Sequence, residues 1–289
     1  AVDIYDDLMT VRDSVNTLSA IEVGTGTNRW ALQAGDRLDR IIGTARTPDG
    51  GVIVSADTEL TIYDAKSGTL SDRQDYDLLT STPPATVDRF ICVGGENGQL
   101  LIHNLTSGFR QHAYDFGATI QVAPVAIDGL IGAVARNGRV FIIDPKTGSS
   151  VGRTRVYASA DVPPAASATA MFVASRDQSL WAFEARGAKT RWRVRTEGPL
   201  THAPVYAGGV VYCVIPEEGL TAFDALSGER LWVVEGVFAD AVCKRGDRII
   251  AWDGSRIYAI HADAGDVMDA FELPGVSMVK ADAFDEGNL

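Results

Sequence analysis

A five-residue turn motif recurs about every 40 residues along this chain, and no other sequence feature constrains the fold as strongly. The clearest copy, Asp224–Gly228, reads Asp-Ala-Leu-Ser-Gly and is followed four residues later by Trp232. The seven copies begin at Glu22, Asp64, Asn104, Asp144, Glu184, Asp224 and His261. A chain of equal units is an assembly of one supersecondary module, in which each unit buries its apolar surface against its neighbours.

Each unit contains four short apolar runs that are separated by turn residues. In the sixth unit these runs are Leu200–Ala207, Val210–Ile215, Leu220–Asp224 and Arg230–Glu235. A carboxylate at the first motif position can accept hydrogen bonds from the turn amides, and the closing glycine can adopt a positive φ without steric cost. No window shows a sustained helical period of apolar residues, so the sequence predicts an all-β protein.

Four-stranded units at this period predict a seven-bladed β-propeller of antiparallel blades that forms a single domain over residues 1–289. The chain is expected to enter at the second strand of the first blade, Leu8–Arg12. The segment Val276–Phe284 is then expected to supply the missing first strand and to close the ring. Closure of this kind removes the exposed strand edges of an open array.

The composition argues against several classes of function. The net charge of −12 disfavours nucleic acid and anionic lipid surfaces as general partners. The chain has no run of 18 apolar residues, so we expect no membrane span within it. Its four histidines are scattered and no two of its three cysteines are adjacent. We therefore expect no catalytic residue, no metal site and no bound cofactor.

Two groups of residues stand out within the repeats. Trp30, Trp192 and Trp232 follow their turn motifs at equal spacing, and we expect them to pack between neighbouring blades. Arg191, Arg193 and Arg195 alternate with apolar residues on the last strand of the fifth unit, so they share one face of that strand. Two interpretations stay open for this stripe. The arginines protect an edge strand from pairing, or they dock an acidic protein partner.

The segment Gly209–Trp232 resembles the PQQ-like repeat, and Ser179–Trp192 is similar to it as well. That repeat builds the quinoprotein dehydrogenases and also non-enzymatic BamB-like propellers. Quinoproteins carry a vicinal cysteine pair and eight blades with long insertions, so the resemblance disfavours a PQQ-dependent oxidoreductase here. It implies instead a non-catalytic protein-interaction scaffold in an extracytoplasmic compartment, the bacterial periplasm or the outer membrane. Association with the membrane would then use an anchor ahead of residue 1. The alternative is a sensory or ligand-binding ectodomain excised from a longer membrane protein.

Overall fold

The computed structural model describes residues 2–5, 7–34, 40–107 and 109–280. These residues contain no helix and form seven antiparallel sheets of four strands each. Within every sheet the strands follow chain order from one edge to the other. The predicted all-β fold of seven four-stranded blades is therefore confirmed.

The strands fall into consecutive groups of four. The first blade comprises β1 (Val2–Tyr5), β2 (Leu8–Arg12), β3 (Thr17–Glu22) and β4 (Asn28–Gln33). The second comprises β5 (Ile41–Arg46), β6 (Val52–Ala56), β7 (Glu59–Tyr63) and β8 (Leu70–Asp75). The third comprises β9 (Ala85–Val87), β10 (Phe90–Gly94), β11 (Gln99–Asn104) and β12 (Phe109–Asp115). The fourth comprises β13 (Val125–Ile127), β14 (Leu130–Val134), β15 (Arg139–Asp144) and β16 (Ser149–Arg155).

The remaining blades repeat this plan. The fifth comprises β17 (Ala165–Ala166), β18 (Ala170–Ser175), β19 (Ser179–Glu184) and β20 (Thr190–Arg195). The sixth comprises β21 (Val205–Ala207), β22 (Val210–Ile215), β23 (Gly219–Asp224) and β24 (Arg230–Glu235). The seventh comprises β25 (Ala241–Arg245), β26 (Arg248–Trp252), β27 (Arg256–His261) and β28 (Val267–Glu272). The first strands of successive blades contact one another, so they surround the axis and the fourth strands form the outer rim.

The turn motif joins the third strand to the fourth in every blade. In the sixth blade the Gly228 amide donates to the Asp224 carbonyl at 2.8 Å, and the Ser227 amide and hydroxyl each donate to the Asp224 carboxylate at 2.7 Å. The two bonds from Ser227 to the carboxylate, with that of the hydroxyl foremost, lower the pKa of the Asp224 carboxyl. The register between the third and fourth strands shifts just before the motif in all seven blades, which places a β-bulge beside each turn.

The hydrophobic core consists of clusters that lie between neighbouring blades. One of them joins Tyr212, Leu220 and Trp232 of the sixth blade to Ile249 and Ile260 of the seventh. Because strand side chains alternate between the two faces of a sheet, the second to sixth blades each contribute one face to the cluster before them and the other to the cluster after them. The assembly of the blades thus buries the apolar surface that a single blade of about 40 residues would leave exposed to solvent.

The first blade departs from prediction at its inner strand. Val2–Tyr5 forms that strand and pairs antiparallel with Leu8–Arg12, so the prediction that Val276–Phe284 completes the blade is wrong. A hairpin between neighbouring segments closes a much shorter loop than pairing with the opposite end of the chain. The described part of the tail, Val276–Lys280, lies outside any strand, and residues 281–284 lie outside the described residues. The tail still reaches this strand, since the Lys280 ammonium lies 3.7 Å from the Asp3 carboxylate.

Candidate functional site

The three predicted tryptophans lie at the seams between neighbouring blades and are nearly buried. Each indole N–H donates to a backbone carbonyl in the turn motif of the next blade: Trp30 to Ala65 (2.9 Å), Trp192 to Ala225 (3.0 Å) and Trp232 to Ala262 (2.8 Å). A buried indole needs such an acceptor, because an unpaired N–H away from water carries a desolvation penalty. The tryptophans therefore tie the outer strand of one blade to the turn of the next.

The glycine that ends each of these turns lies directly beneath the indole ring. A Cβ on Gly68, Gly228 or Gly265 would lie 2.7–2.8 Å from the nearest ring atom, which no real side chain tolerates. The same glycines have φ values of 70–75°, a region that costs an L-residue about 1–2 kcal/mol. We call this pairing of ring and glycine, with its hydrogen bond, the indole lock.

Other seams replace the indole with other residues. His112 takes its place in the third blade, and its ring lies over Gly148 of the fourth. In the fourth blade the residue is Gly152, which lets the backbones of neighbouring blades approach closely enough for a bridge to Gly187. The smaller residue leaves space for Ala188, which holds the motif's glycine position at a φ of 50° and is 2% exposed. The residue at the indole position thus differs between seams, and a smaller residue stands there where neighbouring blades approach more closely.

The predicted arginine stripe lies on the outer strand β20, and its members differ in their surroundings. Arg191 donates to the Thr169 hydroxyl and carbonyl at 3.2 and 3.1 Å within its own blade. Arg193 donates to the Ser179 hydroxyl at 2.9 Å, and Arg195 is exposed. The Arg191 and Arg193 contacts orient the cations without neutralising them, because none of these acceptors is charged.

Arg193 also belongs to an aromatic stack that joins the fourth and fifth blades. Its guanidinium carbon lies 4.3 Å from the centroid of the Trp181 ring and 5.2 Å from that of Tyr157. The two rings meet edge to face at 5.5 Å, and the Trp181 indole donates to the Asp177 carboxylate at 3.0 Å. Tyr157 remains 69% exposed. The stack therefore presents an aromatic surface backed by a fixed cation.

Further arginines lie on the neighbouring outer strand β16, and the sequence reasoning missed them. Arg153 and Arg155 are exposed and form no ion pair with any described residue, and the same holds for Arg195. Residues 136–195 contain eleven Lys and Arg against four Asp and Glu, a net charge of +7 in a chain of net charge −12. This local excess of Lys and Arg over Asp and Glu is the sequence signal that would have indicated these further arginines. We call Arg153, Arg155, Arg191, Arg193 and Arg195 together the basic sector.

A second candidate site is the axial cavity, which has a volume of about 630 Å³. Its walls are mostly apolar and come from the inner strands of the fourth to seventh blades and the loops that lead into them. His202 and Asp240 supply polar groups 3.7 Å apart, and Lys280 of the tail lines the same space. An apolar chamber with few polar groups can enclose a small molecule.

The described residues contain no group of three or more His, Cys, Asp or Glu side chains placed to hold a metal ion. They also form no helix of the length and apolarity that crossing a bilayer requires. Cys92 and Cys213 are buried, and burial raises the pKa of each thiol to about 12. At neutral pH these thiols stay protonated and act as small apolar side chains.

Seven four-stranded blades around one axis, joined by the same turn motif, define this chain as a repeat β-propeller. The family model described as "Outer membrane protein assembly factor BamB" matches residues 1–154 and 136–275. The chain therefore belongs to this family of PQQ-like repeat propellers, and the predicted resemblance is confirmed.

Solved structures share the architecture at low sequence identity. BamB from Moraxella catarrhalis matches with a TM-score of 0.77 and 17% identity, covering 97% of this chain and 89% of that one. The computationally designed Ika8 protein matches with a TM-score of 0.81 and 12% identity, covering 93% of this chain and 85% of that one. At these identities the likeness concerns the fold. No curated protein sequence matches the chain significantly.

Proposed function

We propose that this protein is a non-catalytic interaction scaffold of an extracytoplasmic compartment, the periplasm or the outer-membrane surface, as BamB-type assembly factors are. The basic sector is the observation that carries the proposal. It concentrates arginines and the exposed ring of Tyr157 on one part of the rim of an otherwise acidic ring. Arginine and tyrosine are the residues that protein interfaces favour, and acidic surfaces are the complement of such a patch.

The partner that fits the basic sector is an acidic protein surface. Arg153, Arg155 and Arg195 have no carboxylate partner among the described residues, so a partner's carboxylates would meet cations that are free to pair. Arg193 is held against Trp181 and would lose little conformational entropy on binding. Charge pairs at an interface rim act mainly on the association rate, so binding should weaken as salt is added.

Charge reversal tests this proposal. The double variant Arg153→Glu/Arg195→Glu should recover at least about tenfold less of the bound partner from chemically cross-linked cell-envelope extract, because two attractive rim charges become repulsive. The variant Lys66→Glu/Arg89→Glu makes the same change in net charge elsewhere on the ring and serves as the control. Equal recovery of the same proteins by wild type and both variants would refute the basic sector as a docking surface.

The axial cavity favours a second candidate, a ligand-binding or sensory ectodomain. Its volume of about 630 Å³ falls in the range of small-molecule sites. A ligand held there stabilises the ring by mass action, so a screen of small molecules by melting temperature separates the two candidates. Pyrroloquinoline quinone with calcium belongs in that screen, since a rise in melting temperature with both would instead favour the oxidoreductase alternative.

A further inference from the structure

A small pocket lies between the first and second blades, beside the turn motif of the second. Its volume is about 270 Å³, and its walls include that motif, residues 49–51 between β5 and β6, and Asp7 and Arg29 of the first blade. Ala65, whose carbonyl accepts the indole N–H of Trp30, also lines it, so the pocket adjoins the indole lock of these two blades. We call it the seam pocket.

The carboxylates of the seam pocket are already engaged. The charged residues that line it are Asp7, Arg29, Arg46, Asp49, Asp64 and Lys66. The Asp7 carboxylate pairs with Arg29 at 2.7 Å. Asp64 accepts hydrogen bonds within its own turn at 2.7 Å, and Asp49 accepts one from the Thr47 hydroxyl. Each of these acids therefore has a hydrogen-bonded partner.

The half-buried guanidinium of Arg46 has no such partner. Its Nη1 is shielded from solvent and forms no hydrogen bond with a described residue. Asp7 is near enough to interact with Arg46 electrostatically, yet its carboxylate is bonded to Arg29. A donor shielded from water costs more when it is charged and unpaired. An anion that enters the pocket and accepts from Arg46 would therefore be strongly favoured.

The repeat itself does not require a cation at this position. Arg46 pairs with Val52, which pairs in turn with Tyr63, the residue before the turn motif. By the same register, the equivalent residues of the third to sixth blades are uncharged: Thr86, Ala126, Ala166 and Tyr206. Arg46 is thus not part of the architecture that these blades share.

The surroundings of Arg46 leave recognition of an anion to its guanidinium. A Cβ on Gly50 would lie 3.3 Å from Nη2 of Arg46, so the guanidinium rests against the turn between β5 and β6. The amides of that turn are used internally, since those of Gly50 and Gly51 donate to the Thr47 carbonyl and hydroxyl at 2.9 and 2.6 Å. Ile62 adds an apolar wall to the same pocket.

We propose that the seam pocket binds a small organic monocarboxylate through Arg46. A guanidinium matches a carboxylate with two parallel N–H···O bonds, and such charge-assisted bonds are about twice as strong as neutral ones. The apolar wall suits a short hydrocarbon group, which inorganic phosphate lacks. The carboxylates of Asp7, Asp49 and Asp64 repel a dianion more strongly than a monoanion. This site lies apart from the basic sector and does not depend on it.

Butyrate and its uncharged isostere butyramide are the probes. Isothermal titration calorimetry of the 289-residue protein at neutral pH and low ionic strength compares them. Butyrate should bind at least about tenfold more tightly, because only the carboxylate forms charge-assisted bonds with the guanidinium. Arg46→Met keeps the apolar stem of the side chain and should weaken butyrate binding by at least about tenfold.

N-acetyl-leucine, titrated in parallel, identifies the source of the carboxylate. It carries the same group as the C-terminus of a peptide. Tighter binding of N-acetyl-leucine than of butyrate would support the proposal with a chain end as the ligand. Tighter binding of butyrate would support it with a free acid as the ligand.

The matched control is Arg89→Met, which changes an exposed arginine beside Phe90 in the third blade. It should leave the butyrate affinity unchanged, as should Arg153→Glu/Arg195→Glu. Equal affinity for butyrate and butyramide, full binding by Arg46→Met, no binding at all, or tighter binding of inorganic phosphate would overturn the proposal.

The stability of the ligand-free variant provides a second test. Arg46→Met should melt at the wild-type temperature or above it, because the variant loses an unpaired charge. A clearly lower melting temperature, with Arg89→Met unchanged, would show that the guanidinium already has a structural partner and would also overturn the proposal.

Discussion

The indole lock predicts that one substitution has unequal costs at two equivalent turns. Gly228 and Gly26 close the same motif in different blades, with φ values of 75° and 69°. An alanine at either position pays about 1–2 kcal/mol for a left-handed backbone. Only at Gly228 does the new Cβ meet a ring, at 2.7 Å from Cδ2 of Trp192. Displacing that buried indole adds about 1–3 kcal/mol of overpacking.

Gly228→Ala should therefore be less stable than Gly26→Ala by about 1–3 kcal/mol. Urea unfolding followed by circular dichroism measures the difference as a shift of midpoint, and calorimetry measures it as a lower melting temperature. Because backbone strain is common to both variants, it cancels in the comparison. Equal destabilisation by the two substitutions would refute the claim that the ring contact of Gly228 has no counterpart at Gly26, where no atom of the described residues lies within 4 Å of the added Cβ.

Two further predictions concern a buried histidine and a glycine at the contact between two blades. His103 is buried, and neither of its ring nitrogens forms a hydrogen bond with a described residue. Burial lowers the pKa of its imidazole below 6.5. The unfolded chain binds the proton first as pH falls, so stability should decline below about pH 6.5 and continue to fall toward the lowered pKa. His103→Leu should lose less melting temperature between pH 7.5 and 5.5, and an unchanged pH dependence would contradict this. Gly152→Ala would place a Cβ 2.5 Å from the Ala188 amide nitrogen. It should lower stability by about 1–3 kcal/mol in thermal unfolding. Gly24→Ala, with no atom within 4 Å, serves as a near-neutral control, and two equal melting temperatures would contradict the close approach.

The candidate sites were predictable only in part. The alternation of Arg191, Arg193 and Arg195 indicated a shared face, but it could not show that Arg193 stacks on Trp181 and Tyr157. Those rings come from another strand and from the neighbouring blade. The axial cavity left no signal in the sequence, because most of its walls are ordinary apolar residues of the fourth to seventh blades.

The sequence by itself determined the period, the strand order and the residues that join the blades. These depend on short-range chemistry: a carboxylate that binds turn amides, a glycine with positive φ, and apolar residues that alternate with a period of two. Residues equivalent to Asp224, Gly228 and Trp232 recur along the chain because neighbouring blades pack against one another in the same way.

Only the tertiary structure decided how the ends meet. The sequence predicted Val276–Phe284 as the inner strand of the first blade and no strand before Leu8–Arg12. The structure places Val2–Tyr5 there instead, because pairing within one hairpin closes the smaller loop. The exposure of Phe271 and the open space above Gly26 likewise depend on which of the described residues lie nearby in space. Residues of the same type at the same repeat position are buried or exposed according to their neighbours in space, and no local pattern encodes that difference.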